Sequence, residues 1–354
     1  MLFPKRTHWS WPLAVGLFGL TFVSAQGDKI IDLGRGPVTV HEPPSYDPEV
    51  PTPVVLLLHG YTSSGSEIES YVQLTQLSDE FGFLYAFPDG TRDCFGLRFW
   101  NATDACCNFC QSDVDDSGYL RALIDEIKVQ CNVDPRRVFL VGHSNGGFMS
   151  YRMACDHADA IAAVVSLSGA TFLDPADCSP GGPVHTLEIH GTADGVIQYD
   201  GGCLPPGCYP GAVETTEQWA SYDGCSLDPD TSHPPLDLDE GIPGDETVVT
   251  RYGDACVPGG SAELWTIVGG AHTPDLSEDF SRLVVGFLLS HPKPVDCEGV
   301  NNPDLIDFLI FQECFSGPGH PVAPQCACRD SDGDGDVDWA DFAIFQQIFA
   351  ALLR

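Results

Sequence analysis

Gly142-His143-Ser144-Asn145-Gly146 stands between the apolar run Val138–Val141 and the helix-spaced stretch Gly146–Ala154. A strand that turns this abruptly into a helix leaves no room for side chains at the outer positions, which is why glycine occupies them. The serine hydroxyl is thereby held at the helix N-terminus, open to an incoming carbon. Such a turn belongs to a layered α/β chain, and its surroundings agree. From Pro53 to about Ser290 apolar runs alternate with amphipathic ones, the pattern of a mainly parallel sheet flanked by helices. Strands are expected at Val54–Leu58, Phe83–Phe87, Arg137–Val141, Ala162–Ser168, His185–Ile189 and Glu263–Val268, and helices over Ser117–Val129 and Gly146–Ala154. Residues 223–260, rich in Asp, Pro and Gly, read as an excursion between late elements held by a disulfide. Ligands of an open parallel sheet sit outside the carboxyl ends of its strands. The chemistry belongs there.

A serine hydroxyl is a weak nucleophile until a base takes its proton, and the base needs an acid to orient it. In this type of turn the three follow in the order serine, acid, histidine. Two downstream segments comply. Glu188-Ile189-His190-Gly191-Thr192-Ala193-Asp194 is a strand running into a turn with a carboxylate at its tip, and Gly269-Gly270-Ala271-His272 is a strand end delivering an imidazole. Asp200 replaces Asp194 only if the turn is longer. Glu188 and His190 read as buried strand residues, and His185, His233 and His291 as solvated loop residues. Two N–H donors must face the oxyanion. They are expected from the amide of Asn145 and, after Leu58-His59-Gly60, the amide of Tyr61, with His59 a structural hydrogen-bonding residue.

Arg98-Phe99-Trp100-Asn101, Ala105-Cys106-Cys107, Val114-Asp115-Asp116, Asp134-Pro135-Arg136-Arg137-Val138, the serine turn, His190-Gly191-Thr192-Ala193-Asp194 and Gly269-Gly270-Ala271-His272-Thr273 recur as a set. Together they resemble the secreted polyhydroxybutyrate depolymerase and feruloyl esterase family of α/β-hydrolases, over roughly residues 28–290. The resemblance implies the α/β-hydrolase fold and hydrolysis of a carboxylic ester on a polymer: feruloyl or acetyl groups on plant polysaccharide, or alternatively an aliphatic polyester. It carries Ser144 over as nucleophile, Asp194 as acid and His272 as base, with no catalytic cofactor. The family pattern has an aromatic after the His-Thr pair, whereas Thr273 is followed by Pro274. Tyr61, Trp100 and Phe148 either supply the missing aromatic wall or pack in the core. A reading from another class, a catalytically inactive tethered binding protein, has the complete Ser, Asp, His set against it.

Residues 1–25 carry Lys5 and Arg6, an apolar stretch from Trp9 to Val23, and Val23-Ser24-Ala25 as a small-residue cleavage site, so they are expected to be an export signal removed from a secreted, extracellular protein. Pro12, Gly16 and Gly19 interrupt the stretch, which is shorter than the roughly 20 apolar residues of a spanning helix. No membrane span is expected in the mature chain. Fifteen cysteines fit an oxidising compartment. Cys203 with Cys208 and Cys225 with Cys256 are expected pairs, and the odd count leaves one thiol over. Removing the signal takes the formal charge from −35 to −37, a surface that repels nucleic acid and attracts cations.

Past a short linker at residues 291–295, Asp307-Phe308-Leu309-Ile310-Phe311-Gln312 recurs 34 residues later as Asp341-Phe342-Ala343-Ile344-Phe345-Gln346. Asp330, Asp332, Asp334, Asp336, Asp338 and Asp341 supply the oxygens of an EF-hand-type loop, with Gly335 at its sharp turn and position 7, Asp336, contributing its backbone carbonyl. Asp at position 12 and the helix that follows resemble a dockerin repeat. Its partner is degenerate: Asp296, Glu298, Asp304 and Asp307 keep four positions, but Val300 and Asn301 spoil two. Residues 296–354 are thus expected to be a small all-α, dockerin-like module holding structural Ca2+, joined to a catalytic domain at 26–290. Cys297, Cys314, Cys326 and Cys328 are placed to brace it. The dockerin resemblance implies a cohesin-like or cell-surface partner.

Overall fold

The computed structural model describes residues 27–293, 305–323, 326, 329 and 335–351. The expected export signal, the linker beyond Lys293, Cys297, Cys328, Asp330, Asp332, Asp334 and the first repeat's expected ligands up to Asp304 lie outside them.

Nine strands make one sheet: β1 (Lys29–Asp32), β2 (Pro37–His41), β3 (Thr52–Leu58), β4 (Leu84–Ala86), β5 (Val133–His143), β6 (Ala163–Leu167), β7 (His185–Gly191), β8 (Thr247–Tyr252) and β9 (Ser261–Ile267). Their spatial order is β1-β2-β4-β3-β5-β6-β7-β9-β8. The six from β4 to β9 in that order run parallel; β8 pairs antiparallel with β9, and β1 and β2 extend the other edge antiparallel.

β3 is apolar along nearly its whole length because both of its faces are covered. In β3, Val54, Leu56 and Leu58 join one core and Val55 and Leu57 the other. The first core receives α3 (Asp116–Gln130), α4 (Asn145–Asp156) and α5 (Ala212–Tyr222); the second receives α1 (Gly65–Val72), α2 (Leu74–Phe81) and α6 (Phe280–Leu289). Each fully buried leucine in such a layer contributes about 1.5–3 kcal/mol. Asp115 caps α3, its carboxylate accepting from the Gly118 amide.

All six expected strands are present, with ends displaced by a few residues. Residues 223–260 differ from expectation: they contain β8, which is only partly buried where β3 is buried throughout, and whose outer side is bridged by backbone bonds between Thr247 and Leu236 and between Arg251 and Asp230. The Cys225–Cys256 disulfide closes the segment, and Cys203–Cys208 is also formed. Cys94–Cys110, Cys106–Cys107, Cys155–Cys178 and Cys314–Cys326 are further bridges. Among the described residues the free thiol is Cys131, which burial pushes up to about 11, leaving it unreactive near neutral pH.

The repeat appears as α7 (Leu305–Cys314) and α8 (Trp339–Ala351). Its equivalent phenylalanines meet: Phe308 and Phe342 lie 5.9 Å apart between ring centroids, Phe311 and Phe345 also 5.9 Å. Among the described residues no helix is long and apolar enough to cross a membrane.

Candidate active site

Four parallel strands, with β6 between the second and third, end on the same side of the sheet, and each hands over one part of the site. β3 leads into His59-Gly60-Tyr61, β5 into Ser144, β7 into the turn carrying Asp194, and β9 into the loop carrying His272. Glycine is needed at the serine turn for a measurable reason. A Cβ on Gly142 would lie 2.0 Å from the Gly146 carbonyl oxygen, and one on Gly146 would lie 2.1 Å from that of Leu58.

Ser144 itself is held at φ 55° and ψ −120°, a conformation that L-residues avoid. Its amide donates to the Leu167 carbonyl at 2.8 Å, and its carbonyl accepts from Phe148 at 3.0 Å to begin α4. The surrounding bonds thus impose the backbone geometry that lifts the hydroxyl.

His272 Nε2 lies 3.0 Å from Ser144 Oγ and its Nδ1 lies 2.7 Å from Asp194 Oδ2. The other Asp194 oxygen accepts from the Val196 and Ile197 amides at 2.8 and 2.9 Å. Burial works against this carboxylate, but hydrogen bonds from His190 and His272 override it and hold the group well below the usual carboxylate range. The acid and histidine loops are joined by backbone bonds from Thr192 to Ile267 and from Ala193 to Gly270, each 2.9 Å.

Two residues outside the expected set fix the histidine loop. His143, the second residue of the pentapeptide, places Nε2 2.9 Å from the His272 carbonyl, with its ring 5.1 Å from the His272 ring. Burial lowers His143 to about 4, so it is a neutral donor at that nitrogen. Tyr71 donates its hydroxyl to the Pro274 carbonyl at 2.7 Å. Neither signal was separable in the sequence, because each acts on a main-chain oxygen.

The Tyr61 and Asn145 amides donate to no protein acceptor among the described residues, and a Cβ on Gly60 would come within 3.3 Å of Ser144 Cβ. The Asn145 side chain clasps Trp100 reciprocally, accepting from its amide at 2.7 Å and donating to its carbonyl at 3.0 Å. His59 is buried, with Nδ1 2.7 Å from the Gly60 carbonyl and Nε2 accepting from the Gly90 amide at 2.9 Å.

The aromatic wall needs correction. Trp100 and Phe148 are fully buried, Trp100 donating Nε1 to the His59 carbonyl and Phe148 meeting Tyr209 edge to face. They have no free face for a ligand. Tyr61 is half-buried, its ring edge-on to Phe109 and its hydroxyl donating to Asp93 at 2.7 Å. His185 and His291 are half-buried rather than free in solvent; their rings meet at 4.7 Å, His291 following the end of α6. Asp200 is exposed and outside the array.

In the C-terminal segment, oxygens of Asp336, Asp338 and Asp341 come within 4.8 Å of one another. Three carboxylates at that spacing fit a hard cation.

The chain matches the Esterase family over residues 34–239. It is 30% identical over 243 residues to "Feruloyl esterase B" of Piromyces equi, covering 66% of this chain and 42% of that protein. It is 28% identical over 200 residues to "Bifunctional acetylxylan esterase/xylanase XynS20E" of Neocallimastix patriciarum, covering 55% of this chain and 27% of that one. The chain thus spans less than half the length of these relatives. Among solved structures, the acetyl xylan esterase from Aspergillus awamori superposes with a TM-score of 0.51 at 18% identity, over 74% of this chain and all of that one, and so shares its fold.

Proposed function

Because the chain belongs to the Esterase family, we propose that it hydrolyses carboxylic esters through an acyl-enzyme on Ser144. The observation that carries this reading is the continuous line Ser144–His272–Asp194, at 3.0 and 2.7 Å. His272 Nε2 takes the hydroxyl proton as Ser144 Oγ attacks the acyl carbon, and Asp194 stabilises the imidazolium that forms. The oxyanion is met by the Asn145 and Tyr61 amides. His272 then protonates the departing alcohol, and water repeats the sequence in reverse to release the acid.

The substrates we propose are feruloyl or acetyl esters carried on plant polysaccharide, in keeping with the named activities of the relatives. Of the three aromatics, the half-buried Tyr61 is the one we propose for contact with the acyl group. Export and extracellular action fit the six disulfides among the described residues. Residues 296–354 are proposed as a calcium-stabilised, dockerin-like tether, with Asp336, Asp338 and Asp341 among the ligands and a cohesin-like partner.

Initial rates on methyl ferulate and on a soluble hydroxybutyrate oligomer, with Ser144→Ala as blank, test the proposal. A preference for ferulate that vanishes in the variant is expected. Preference for the oligomer would move the protein to polyester cleavage, and undiminished turnover in Ser144→Ala would overturn the mechanism.

A further inference from the structure

The Asp194 carboxylate is held from behind as well as in front. The oxygen that faces His272 also lies 3.4 Å from His190 Nε2, which meets the Ile197 carbonyl at 2.8 Å. The opposite ring nitrogen, Nδ1, lies 2.9 Å from Glu188 Oε1, and Glu188 Oε2 accepts from the Tyr151 hydroxyl at 3.0 Å. Glu188 is 0% exposed, His190 1% and Asp194 6%. A buried ionic array stabilises a fold no better than hydrocarbon of equal volume. Packing alone therefore does not account for a second imidazole and a second carboxylate in line with the first.

We propose that Glu188 and His190 are positioning residues for the Asp194–His272 pair: a charged His190 clamps Asp194 Oδ2 from behind, and Glu188 keeps that charge in place. The inference rests on the ester-hydrolase reading above. The charge follows from the hydrogen-bond inventory. Nε2 meets a carbonyl and a carboxylate, which offer only lone pairs, so it carries a hydrogen; Nδ1 meets the Glu188 carboxylate and carries another. Burial disfavours the cation, but the bonds to Asp194 and Glu188 outweigh it and push the imidazole up to about 10. Burial also pushes Glu188 up. The proton belongs on the imidazole, where it serves two carboxylates, rather than on Glu188, where it serves one partner. The remaining titratable groups around His190 are Tyr199, perpendicular at 5.8 Å, Tyr151 beyond Glu188, and His143 and His272 beyond Asp194.

Two effects follow. Asp194 cannot turn away from His272, because both its oxygens are engaged from the protein side. The cation behind it also offsets part of the negative charge that faces His272.

The test is Glu188→Gln, which keeps the shape and lets the amide donate to His190 Nδ1, leaving the ring neutral with its Nε2 bonds intact. The expected result is an acid limb of kcat/KM against pH displaced upward by about half a pH unit, from the loss of one nearby positive charge partly offset by the loss of a more distant negative one. A fall in kcat with KM unchanged accompanies it. Folded Glu188→Gln with the wild-type profile and rates overturns the proposal. Nitrogen-15 spectra of the wild-type protein give a readout that needs neither folding of the variant nor catalysis. Both His190 nitrogens protonated at pH 8 supports the clamp, and a singly protonated ring overturns it. Failure of the ester-hydrolase reading would appear separately, as turnover retained in Ser144→Ala.

Discussion

At Ser144 the backbone occupies a region that costs of order 1–3 kcal/mol, and the Leu167 carbonyl and the start of α4 hold it there. In the proposed mechanism the hydroxyl gains reach from that conformation and reactivity from His272. Asp194→Asn separates the two. Its Oδ1 can still accept from Val196 and Ile197, but the side-chain amide then faces His272 Nδ1 and selects the wrong tautomer. We expect kcat to fall about 10⁴-fold with KM little changed, read by steady-state kinetics on a soluble ester. Stability has its own pH signature at the same residues. Asp194 is depressed, so its contribution is present above the ordinary carboxylate range and is lost as pH falls below it. His190 is raised, so its contribution is complete below about 6.5 and is lost as pH rises toward about 10. Melting temperature measured across pH on Ser144→Ala should therefore decline from neutrality to pH 10. A flat alkaline side would contradict a charged His190.

The elements explain what could be read from the chain and what could not. Strands buried on both faces, such as β3, appear as nearly unbroken apolar runs, and the other expected strands kept enough apolar residues between turn signals to stand out. Segment β8 lies within the acidic excursion, and its Thr247–Tyr252 residues, which mix Thr and Arg with Val and Tyr, gave too weak a pattern to stand out. β1 and β2, four and five residues long on the opposite side of the sheet, are too short to show an apolar run. The residues at the strand ends were legible because chain order and turn chemistry constrain them; Trp100 and Phe148 were not, since an aromatic's burial depends on what the helices cover. His143 hid inside a motif in which its own position is unrestricted. The turn between β5 and α4 also makes a prediction. Gly146→Ala puts a methyl group against the Leu58 carbonyl, and rigid backbone on both sides cannot yield. A loss of at least about 3 kcal/mol is expected from such a clash, measured by urea unfolding, and a wild-type midpoint would show the turn to be less tightly packed than the backbone distances require.

Across the whole molecule the dominant quantity is charge: 51 acidic residues against 16 basic ones. Most of that excess repels itself without purpose for catalysis, but in the C-terminal segment Asp336, Asp338 and Asp341 converge within 4.8 Å. Mutual repulsion at that spacing favours a bound divalent cation, and binding to the folded form alone stabilises it by mass action. Ser144, His272 and Asp194 are joined without any carboxylate from this segment, so the cation should govern the segment and leave the chemistry alone. Trp339, the first residue of α8, follows Asp338 directly, 67% exposed and edge-on to Phe315 at 5.2 Å between centroids, and its fluorescence is a local reporter. Chelation of the full-length protein should change that emission and open the segment to protease, while turnover of methyl ferulate stays within about twofold, because no part of the triad exchanges ligands with the metal. Loss of turnover on chelation, restored by calcium, would instead tie the cation to the catalytic strands and require a second site there.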